Sequence, residues 1–402
     1  MIIRRSTPGA LHREAARHTP FHPRTSAFCL TNEWVGWAGY TVPNVYGDVA
    51  DEYFATRNQL GVLDISPLSK YRVGGADAEA FMNRLLTRDI RKVAPGRVAY
   101  AIWCNDEGHV IDDGTVFRLG PQDFRISCQE HQLGWLSRSA IGFDVRIEDE
   151  TAALGVLAVQ GPTSCAVLKR AGFGGIETLK PFDARDFDLP GFKLSVSRTG
   201  FTGDLGYELW VAARDAVDLW DLLFEAGSLH DPRPVGLAGL DMLRLEAGFM
   251  VTNTDFVSAE LALRRNRGRT PFEIGLERLV DFDKGHFTGR RALVEAQRRG
   301  PRSVIVGLDI EHNKPAGDAL VYLGGKKQVG HVTSAMWSST CKRNIALATL
   351  DARTAQIPDP DLRVEIYVKK ELKWHRLMAR AKITDRRFFD SERRRATPPA
   401  DF

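Results

Sequence analysis

The sequence predicts an α+β protein that ends in a small β-barrel. Two observations lead to this fold class. Strand and helix patterns mix without strict βαβ alternation as far as residue 297, and only short strands separated by Gly, Asn, Asp and Pro turns follow. The chain has 402 residues, of which 43% are hydrophobic and 26% charged, so it is long enough for two or three domains with sizeable cores.

The periodicity of apolar residues defines the individual elements, because helices repeat every 3.6 residues and strands alternate. It predicts helices at 51–61, 76–86, 163–171, 214–227, 237–248 and 290–297. It predicts strands at 63–65, 71–73, 97–104, 110–118, 156–159 and within 192–212, and barrel strands at 303–309, 319–322, 328–334, 345–350 and 363–368. The Arg-Arg-Gly-Pro sequence at 298–301 interrupts the pattern and is the predicted linker.

Composition excludes several classes of protein. A net charge of +4 is too small to indicate a nucleic-acid partner. No apolar run reaches the roughly 18–20 residues needed to span a bilayer. The five cysteines show no CxxC or Cys/His spacing, so neither a disulfide framework nor a metal site is expected. We therefore expect a cytoplasmic protein without a membrane span.

The segment 193–209 carries the most informative single residue. Glu208 stands between Tyr207 and Leu209 in the second strand of a predicted hairpin. A carboxylate there is costly to bury unless a ligand donates hydrogen bonds to it. A pterin ring offers such donors, since its 2-amino group and ring N–H form a planar pair that one carboxylate can accept. The alternative is a hairpin whose glutamate faces water.

Several segments, in order along the chain, resemble the glycine-cleavage T-protein (aminomethyltransferase) family of tetrahydrofolate-dependent one-carbon transferases. Each motif is common by itself, but the ordered set is specific. The segments are 39–43, 64–68, 105–116, 159–162, 199–208, 234–248, 283–293 and 330–348. The resemblance implies a three-lobed fold with a central folate channel. It divides the chain into an N-terminal arm (1–31), a two-lobed folate-binding catalytic region (32–300), a barrel (301–390) and a basic tail (391–402).

The resemblance also implies roles for individual residues. Glu208 would hold the pterin, and Asp113 would be the catalytic group beside the N5/N10 edge of tetrahydrofolate. Tyr100 and Leu68 would line the folate pocket. Asp112, next to Asp113, would point to the opposite strand face. The alternative for Asp113 is a residue that caps backbone N–H groups at the end of a turn.

The sequence departs from the family at two folate-contacting positions. Leu240 replaces an arginine that binds folate, and Phe201 replaces a tyrosine. Arg244 keeps the family's second arginine position and is a predicted cofactor-binding residue, although an ion pair with Asp241 or Glu246 is the competing interpretation. An added Arg-rich segment, 264–269, is hypothesised to compensate by binding the glutamate tail of folate; the alternative is a solvated charged loop.

These departures favour a demethylase-like activity, in which a methyl group leaves a small sulfonium, methylamine or betaine, or aryl methyl ether and reaches N5 of tetrahydrofolate. The segment 19–24 also resembles the stretch that precedes the first domain of dimethylsulfoniopropionate demethylase. The second hypothesis is a glycine-cleavage aminomethyltransferase with a lipoyl carrier protein as partner. The third is a folate-binding protein without catalysis.

The donor side of the pocket follows no motif. A positively charged donor would prefer aromatic faces, and the candidates for substrate binding are Trp34, Tyr40 and Trp103, together with Trp37. Aromatic residues at such spacings also form ordinary cores. For an aryl ether donor, His109 or Lys70 is the candidate acid.

Overall fold

The computed structural model describes residues 17–399 and confirms the predicted α+β class. In this part of the chain, three open sheets precede a closed six-stranded barrel. The strands of the open sheets are β1 (Arg17–His18), β2 (Glu33–Trp37), β3 (Tyr40–Val45), β4 (Gly61–Asp64), β5 (Ser69–Gly74), β6 (Arg97–Cys104), β7 (Val110–Gly120), β8 (Asp123–Cys128), β9 (Arg146–Asp149), β10 (Leu154–Gln160), β11 (Ala184–Leu189), β12 (Phe192–Ser197), β13 (Gly206–Ala212) and β14 (Arg233–Pro234).

The barrel strands are β15 (Ser303–Ile310), β16 (Leu320–Leu323), β17 (Lys327–Ser338), β18 (Arg343–Asp351), β19 (Leu362–Lys370) and β20 (Lys373–Thr384). The helices are α1 (His22–Phe28), α2 (Val49–Asn58), α3 (Ala78–Leu85), α4 (Leu133–Ser139), α5 (Ser164–Arg170), α6 (Ala216–Ala226), α7 (Leu237–Glu246), α8 (Arg290–Arg299) and α9 (Ala352–Ala355). All six predicted helices are present, with ends displaced by at most three residues.

The N-terminal residues that the structure describes pack against helix α6. β1, β3 and β2 form a small sheet, and the Phe28 ring of α1 lies 5.8 Å from Trp220 and 5.0 Å from Phe224 of α6. Part of the predicted arm, residues 1–16, lies outside the described residues.

The first lobe is built on a six-stranded sheet with the order β11-β12-β13-β10-β4-β14. β10 lies inside the sheet and is buried on both faces, which explains its nearly continuous apolar sequence. One face packs against α5 and α6, where Leu157, Tyr207 and Leu209 join a core with Trp220. The opposite face looks toward the second lobe.

The second lobe is a five-stranded sheet with the order β6-β7-β8-β5-β9. α3 covers one of its faces through Phe81 and Met82. The other face meets the first sheet, and Phe117 packs edge to face against Trp210 with ring centroids 4.8 Å apart. This aromatic pair joins the two sheets, and both residues belong to a shared core with Leu63 and Val98.

The predicted C-terminal barrel is confirmed and contains one strand more than predicted. Its order is β15-β18-β17-β16-β19-β20, and pairing of β15 with β20 closes it. α8 ends at Arg299, and Gly300 adopts a φ of +76° before β15 begins at Ser303. β20 was not predicted, because its first four residues are exposed and only two of its twelve residues are buried.

After β20 the chain leaves the barrel and crosses to the first lobe. The backbone N–H of Phe389 donates to the carbonyl of Glu246 at 2.8 Å, and the Phe389 ring lies 4.0 Å from the Arg57 guanidinium. Arg393 forms a two-pronged ion pair with Asp204 at 3.1 and 2.8 Å. As far as residue 399, the basic segment is therefore packed on the body of the protein.

Candidate active site between the two sheets

Glu208 lies in β13 on the face that looks toward the second sheet. In register it stands between Ser197 of β12 and Ala158 of β10. Its neighbours Tyr207 and Leu209 point to the helix side and are fully buried, whereas Glu208 keeps partial exposure. A residue in the interior of the sheet can be exposed only if open space reaches it, so open space lies beside Glu208 on this face of the sheet, and we call it the cleft.

The raised pKa of Glu208 is consistent with a ligand that donates hydrogen bonds to its carboxylate. Burial raises the pKa of Glu208 to about 7, and the hydroxyl of Thr199 opposes this shift. A carboxylate with so high a pKa is poorly solvated and poorly compensated by the protein. Two planar N–H donors from a ligand would lower the pKa and stabilise the ionised form.

The loop before Glu208 is held by one buried side chain, Gln160. Its Nε2 donates to the carbonyls of Thr199 and Tyr207 at 3.3 and 3.4 Å, and its Oε1 accepts from the Thr202 hydroxyl at 2.9 Å. A Cβ atom at Gly200 or Gly206 would come within 2.2 Å of Oε1. The Thr/Gly-rich sequence thus lets the loop close around Gln160 and fixes the direction of Glu208.

Asp113 lies on the face of the second sheet that meets the first sheet, the same strand face as Phe117. It lies on β7 opposite Ile102, and the residues 113–115 are partly exposed between buried neighbours. The hydroxyl of Tyr100 donates to Oδ2 at 2.7 Å, and the hydroxyl of Thr252 donates to Oδ1 at 2.8 Å. These contacts fix the carboxylate and leave it open on the cleft side.

Asp112 points away from the cleft, as the alternation of the strand predicts. It is fully buried and accepts the backbone N–H groups of Asp113 and Glu130 at 3.0 and 3.1 Å. Burial raises the pKa of Asp112 well above its usual range, and the charge of Asp113 adds to the shift. Burial also raises the pKa of Asp113, while Tyr100 and Thr252 oppose the shift. Two neighbouring acids therefore have different environments, and Asp113 is the one that a ligand can reach.

The remaining predicted folate-lining residues are both partly buried. Leu68 is partly buried and packs against the core that joins the sheets, as does Leu240. Phe201 is partly buried and stacks on Phe249, with ring centroids 4.8 Å apart and planes 14° apart. Leu240 contributes an apolar side chain to this core.

Trp103 requires a correction, since the structure does not bring it to the cleft. It is fully buried in the core on the α3 side of the second sheet. Successive residues of a strand point to opposite faces, so Trp103 points away from the face that carries Tyr100, three positions earlier on β6. Its role is packing of the second lobe.

The other aromatic candidates do not form one wall either. Trp37 pairs with Tyr40 in the β2–β3 hairpin and Trp34 pairs with Pro43, so Trp34 lies on the opposite face. Trp34 packs 5.4 Å from the His22 ring. Tyr40 is 5% exposed. Trp37 is the member of this group that packs against the core beside the cleft.

Arg244 also requires a correction, because its five N–H groups are used inside the protein. Its guanidinium binds Asp241 at 2.8 Å, Asp255 at 2.7 Å, the carbonyl of Phe249 at 3.1 Å and the hydroxyl of Ser334 at 2.8 Å. A further contact between Nη2 and Asp241 measures 2.7 Å. The side chain is 1% exposed, so the competing interpretation as a structural ion pair holds.

The Arg-rich segment 264–269 lies beside the turn that precedes β7. Arg264, Arg265 and Arg267 are exposed, and Arg265 forms an ion pair with Glu107 at 3.0 Å. Nη1 of Arg269 donates to carbonyls within the same segment. This geometry matches a solvated charged loop.

Neither of the two candidate acids for an aryl ether donor has the position that a general acid for the leaving group would need. Lys70 is fully buried and donates to the carbonyls of Ser66, Leu68 and Thr151 at 2.7, 2.8 and 3.3 Å. Burial lowers the pKa of Lys70 to about 8. His109 lies against Gly268, beside the exposed loop, and burial lowers its pKa.

Sequence reasoning missed Thr252, which supplies one of the two hydrogen bonds to Asp113. It comes from an irregular stretch after α7, where apolar periodicity carries no information. Among residues 17–399, no three His, Cys, Asp or Glu side chains lie close enough to hold a metal ion. In the same part of the chain, no helix is long and apolar enough to cross a membrane.

Comparisons with known proteins agree with this architecture. The GCVT N-terminal domain matches residues 30–284, and the glycine cleavage T-protein C-terminal barrel domain matches residues 304–390. The chain is 34% identical, over 91% of its length, to the trimethylamine-oxide aldolase of Ruegeria pomeroyi, and spans 46% of that protein. It is 37% identical to the aminomethyltransferase of Streptomyces avermitilis, covering 85% of this chain and 91% of that one.

Two further relatives extend the agreement. The aminomethyltransferase of Bacillus subtilis is 32% identical over 87% of this chain and 96% of its own length. The crystal structure of aminomethyltransferase T from Bartonella henselae superposes with a TM-score of 0.81, covering 94% of this chain and 99% of that one at 24% identity, a likeness of fold. The chain therefore belongs to the glycine-cleavage T-protein family of one-carbon transferases, as its motifs predicted.

Proposed function

We propose that the protein transfers a one-carbon unit, preferentially a methyl group from a small donor, to N5 of tetrahydrofolate. The observation that supports this most strongly is that two partly exposed carboxylates, Glu208 and Asp113, lie on the faces by which two different sheets meet. Glu208 has the environment of an acceptor for the pterin N–H donors. Asp113 stands on the facing sheet, where the reacting nitrogen edge would lie.

The chain's own groups have few tasks in such a reaction. Bound tetrahydrofolate supplies a nucleophilic secondary amine, N5. The two sheets align it with the donor and exclude water, and such alignment can contribute on the order of 7–11 kcal/mol. When the donor–carbon bond breaks and the carbon–N5 bond forms, Asp113 accepts the proton that N5 loses. Tyr100 and Thr252 hold Asp113 in position for this transfer.

An apolar wall favours a donor that carries positive charge and few hydrogen-bonding groups. Trp37, Leu68 and Leu240 pack at the core beside the cleft, and an indole face attracts a sulfonium or ammonium group. A relative that is named for trimethylamine oxide agrees with a small methylated amine as donor.

The second candidate function is an aminomethyltransferase that acts on a lipoyl carrier protein. The aminomethyltransferase relatives, which are 30–37% identical, favour it. The replacements at Leu240 and Phe201 disfavour it, because both remove polar groups from the folate side of the cleft. The third candidate is a folate-binding protein without turnover. The hydrogen bonds from Tyr100 and Thr252, which hold the Asp113 carboxylate in one orientation, speak against it.

One assay separates the three functions. Purified protein and tetrahydrofolate are incubated with a sulfonium, a betaine, a dimethylamine derivative and an aryl methyl ether, and separately with an aminomethyl-lipoyl carrier protein. Appearance of 5-methyltetrahydrofolate supports the proposal. Formation of methylene-tetrahydrofolate and ammonia from the carrier protein would support the second function and contradict the proposal. Folate binding without any product would support the third function.

A further inference from the structure

Four arginines from three separate segments lie near one another: one contacts the Tyr100 carbonyl, the charges of two more act on the Tyr100 hydroxyl, and the fourth lies near one of these. They are Arg88, between α3 and β6, Arg278, in the irregular stretch before α8, and Arg386 and Arg394, in the segment after the barrel. We call them the arginine cluster. Burial and then the charge of Arg278 lower the pKa of Arg88. Burial also lowers the pKa of Arg386 and Arg394, and the charge of Arg278 contributes to both shifts.

The positive charges of this cluster are only weakly balanced. Among residues 17–399, Arg88, Arg278 and Arg386 form no ion pair, and Arg394 has Asp390 at 3.8 Å, a carboxylate that also binds Arg395 at 2.6 Å. The side chains of Glu277 and Asp385 lie near enough to raise the pKa of Arg386 without pairing with it. The Nε of Arg88 is buried and has no hydrogen-bond partner in this part of the chain. Unpaired cations and an unsatisfied donor indicate a place for an anion.

The backbone holds two of the four guanidinium groups in place. Nη1 of Arg88 donates to the carbonyl of Tyr100 at 2.6 Å. The two Nη atoms of Arg386 donate to the carbonyls of Ile274 and Gly275 at 2.7 and 2.8 Å. These hydrogen bonds fix the positions of the two guanidinium groups but do not neutralise their charges. Both arginines can therefore still attract an anionic ligand.

The other two arginines have N–H groups to offer. Arg278 is exposed, and Arg394 lies over the Phe249 ring at 5.2 Å from its centroid. Phe249 in turn stacks on Phe201, one of the predicted folate-lining residues. The cluster therefore adjoins Tyr100, which donates to Asp113, and Phe249, which stacks on Phe201.

We propose that the arginine cluster is a carboxylate subsite beside the Tyr100–Asp113 pair. Guanidinium groups bind carboxylates with paired, charge-assisted hydrogen bonds, and several of them around one point suit a ligand with more than one acidic group. The inference rests on the proposed function. Two ligands of that reaction can bring a carboxylate: the glutamyl tail of the folate, and an acidic methyl donor such as a betaine or a sulfoniopropionate.

This subsite replaces the role that the sequence suggested for 264–269. That segment is exposed and lies beside Glu107 at the turn before β7, whereas the cluster adjoins the hydrogen bonds that orient Asp113.

The test compares Arg278→Gln, Arg394→Gln and the double variant with the wild type. Both residues lack backbone-fixing hydrogen bonds, so these variants should fold, and thermal unfolding checks this. A double variant of two exposed arginines on α8, Arg291→Gln with Arg298→Gln, is the control for charge alone. Affinity is measured by calorimetry for 5-formyltetrahydrofolate with one and with five glutamates and for a tetrahydropterin without a tail. KM is measured for donors with and without a carboxylate.

If the cluster binds the folate tail, the wild type should have a higher affinity for 5-formyltetrahydrofolate with five glutamates than for the form with one. Each cluster variant should reduce the affinity for the longer tail about tenfold, leave tetrahydropterin unaffected and lose most of its effect at high salt. Binding of a donor carboxylate predicts instead unchanged folate affinities and a KM about tenfold higher for acidic donors alone.

Equal effects of the cluster and α8 variants, or no effect of either, would overturn the subsite. If the cluster variants failed in this way but Glu208→Gln still weakened folate binding, the proposed function would stand and only the carboxylate subsite would be rejected. If the wild type bound no reduced folate, the proposed function would fail, and the subsite with it.

Discussion

The hydroxyl of Tyr100 donates to Oδ2 of Asp113 across two neighbouring strands, at 2.7 Å. Tyr100 lies opposite Thr115, so its side chain reaches two residues along β7 to make this contact. Thr252 donates to the other carboxylate oxygen from an unrelated loop. One acid is thus held from both sides, with its remaining lone pairs free for a reacting group in the cleft.

Asp113→Asn is expected to reduce kcat about 10²–10⁴-fold, the usual contribution of a positioned acid or base. Asparagine keeps the shape and can still bond to Thr252, so the dissociation constant for 5-formyltetrahydrofolate should change little. Steady-state kinetics and calorimetry measure the two effects. Full activity in this variant would remove Asp113 from the role of proton acceptor.

Tyr100→Phe is expected to move the acidic limb of the rate profile to higher pH. The Tyr100 hydroxyl lowers the pKa of Asp113, so its loss raises that pKa and leaves less of the ionised base at a given pH. The shift should be about one pH unit, the size of one hydrogen bond to a charged group. Thr252→Val should move the limb in the same direction. A fall in kcat without any shift would indicate that Tyr100 acts on the ligand and not on Asp113.

Folate affinity should rise with pH and level off above about pH 7. The pKa of Glu208 is raised to about 7 in the free protein, and the pterin donors need its ionised form. Binding should therefore release a proton at pH 6, which calorimetry in buffers of different ionisation enthalpy detects. Glu208→Gln should bind weakly at all pH values and release none. A flat affinity profile in the wild type would contradict the assignment of Glu208 to the pterin.

The same pKa predicts an effect on the stability of the ligand-free protein. A carboxyl whose pKa is higher in the folded state costs nothing below its unfolded value of 4.5, and its cost grows as the pH rises toward 7. Glu208→Gln should therefore be more stable than wild type at pH 8, by on the order of 1–3 kcal/mol, and equal to it at pH 4.5. Urea unfolding at the two pH values measures this difference.

Arg244→Met is expected to lower the free energy of unfolding by about 3–5 kcal/mol, because it leaves the fully buried carboxylate of Asp255 without its cation. The folded fraction should still bind 5-formyltetrahydrofolate as wild type does, since no N–H of Arg244 reaches the cleft. Asp241→Asn, which alters the more exposed partner, is the milder control. Normal stability together with lost folate binding would restore Arg244 as a folate ligand.

The fold class could be predicted because its determinants are local. The helices at 237–246 and 290–299 have clear apolar faces, and the short barrel strands are separated by strong turn residues. The strand Asp123–Cys128 and the edge strand Ala184–Leu189 were missed. The second of these alternates charged residues with few apolar ones, since it lies at an edge of its sheet.

The site could be predicted only in part. Glu208 and Asp113 stand in recognisable motifs, and strand alternation applied to β6 would also have excluded Trp103. Thr252 and the arginine cluster have no such signal, because tertiary packing alone brings these distant positions together. The burial of Arg244 has the same origin, as its partner Ser334 comes from the barrel.

The segment 385–399 ties a late part of the chain to the loop that orients Glu208. Arg198 donates to the carbonyl of Arg393 at 3.3 Å and to that of Arg394 at 3.4 Å, and Arg393 holds Asp204 in the same loop. A chain cleaved after Thr384 would keep all six barrel strands but lose this fastening and half of the arginine cluster. Proteolysis within this segment is therefore expected to loosen the loop that carries Asp204 while the barrel stays closed.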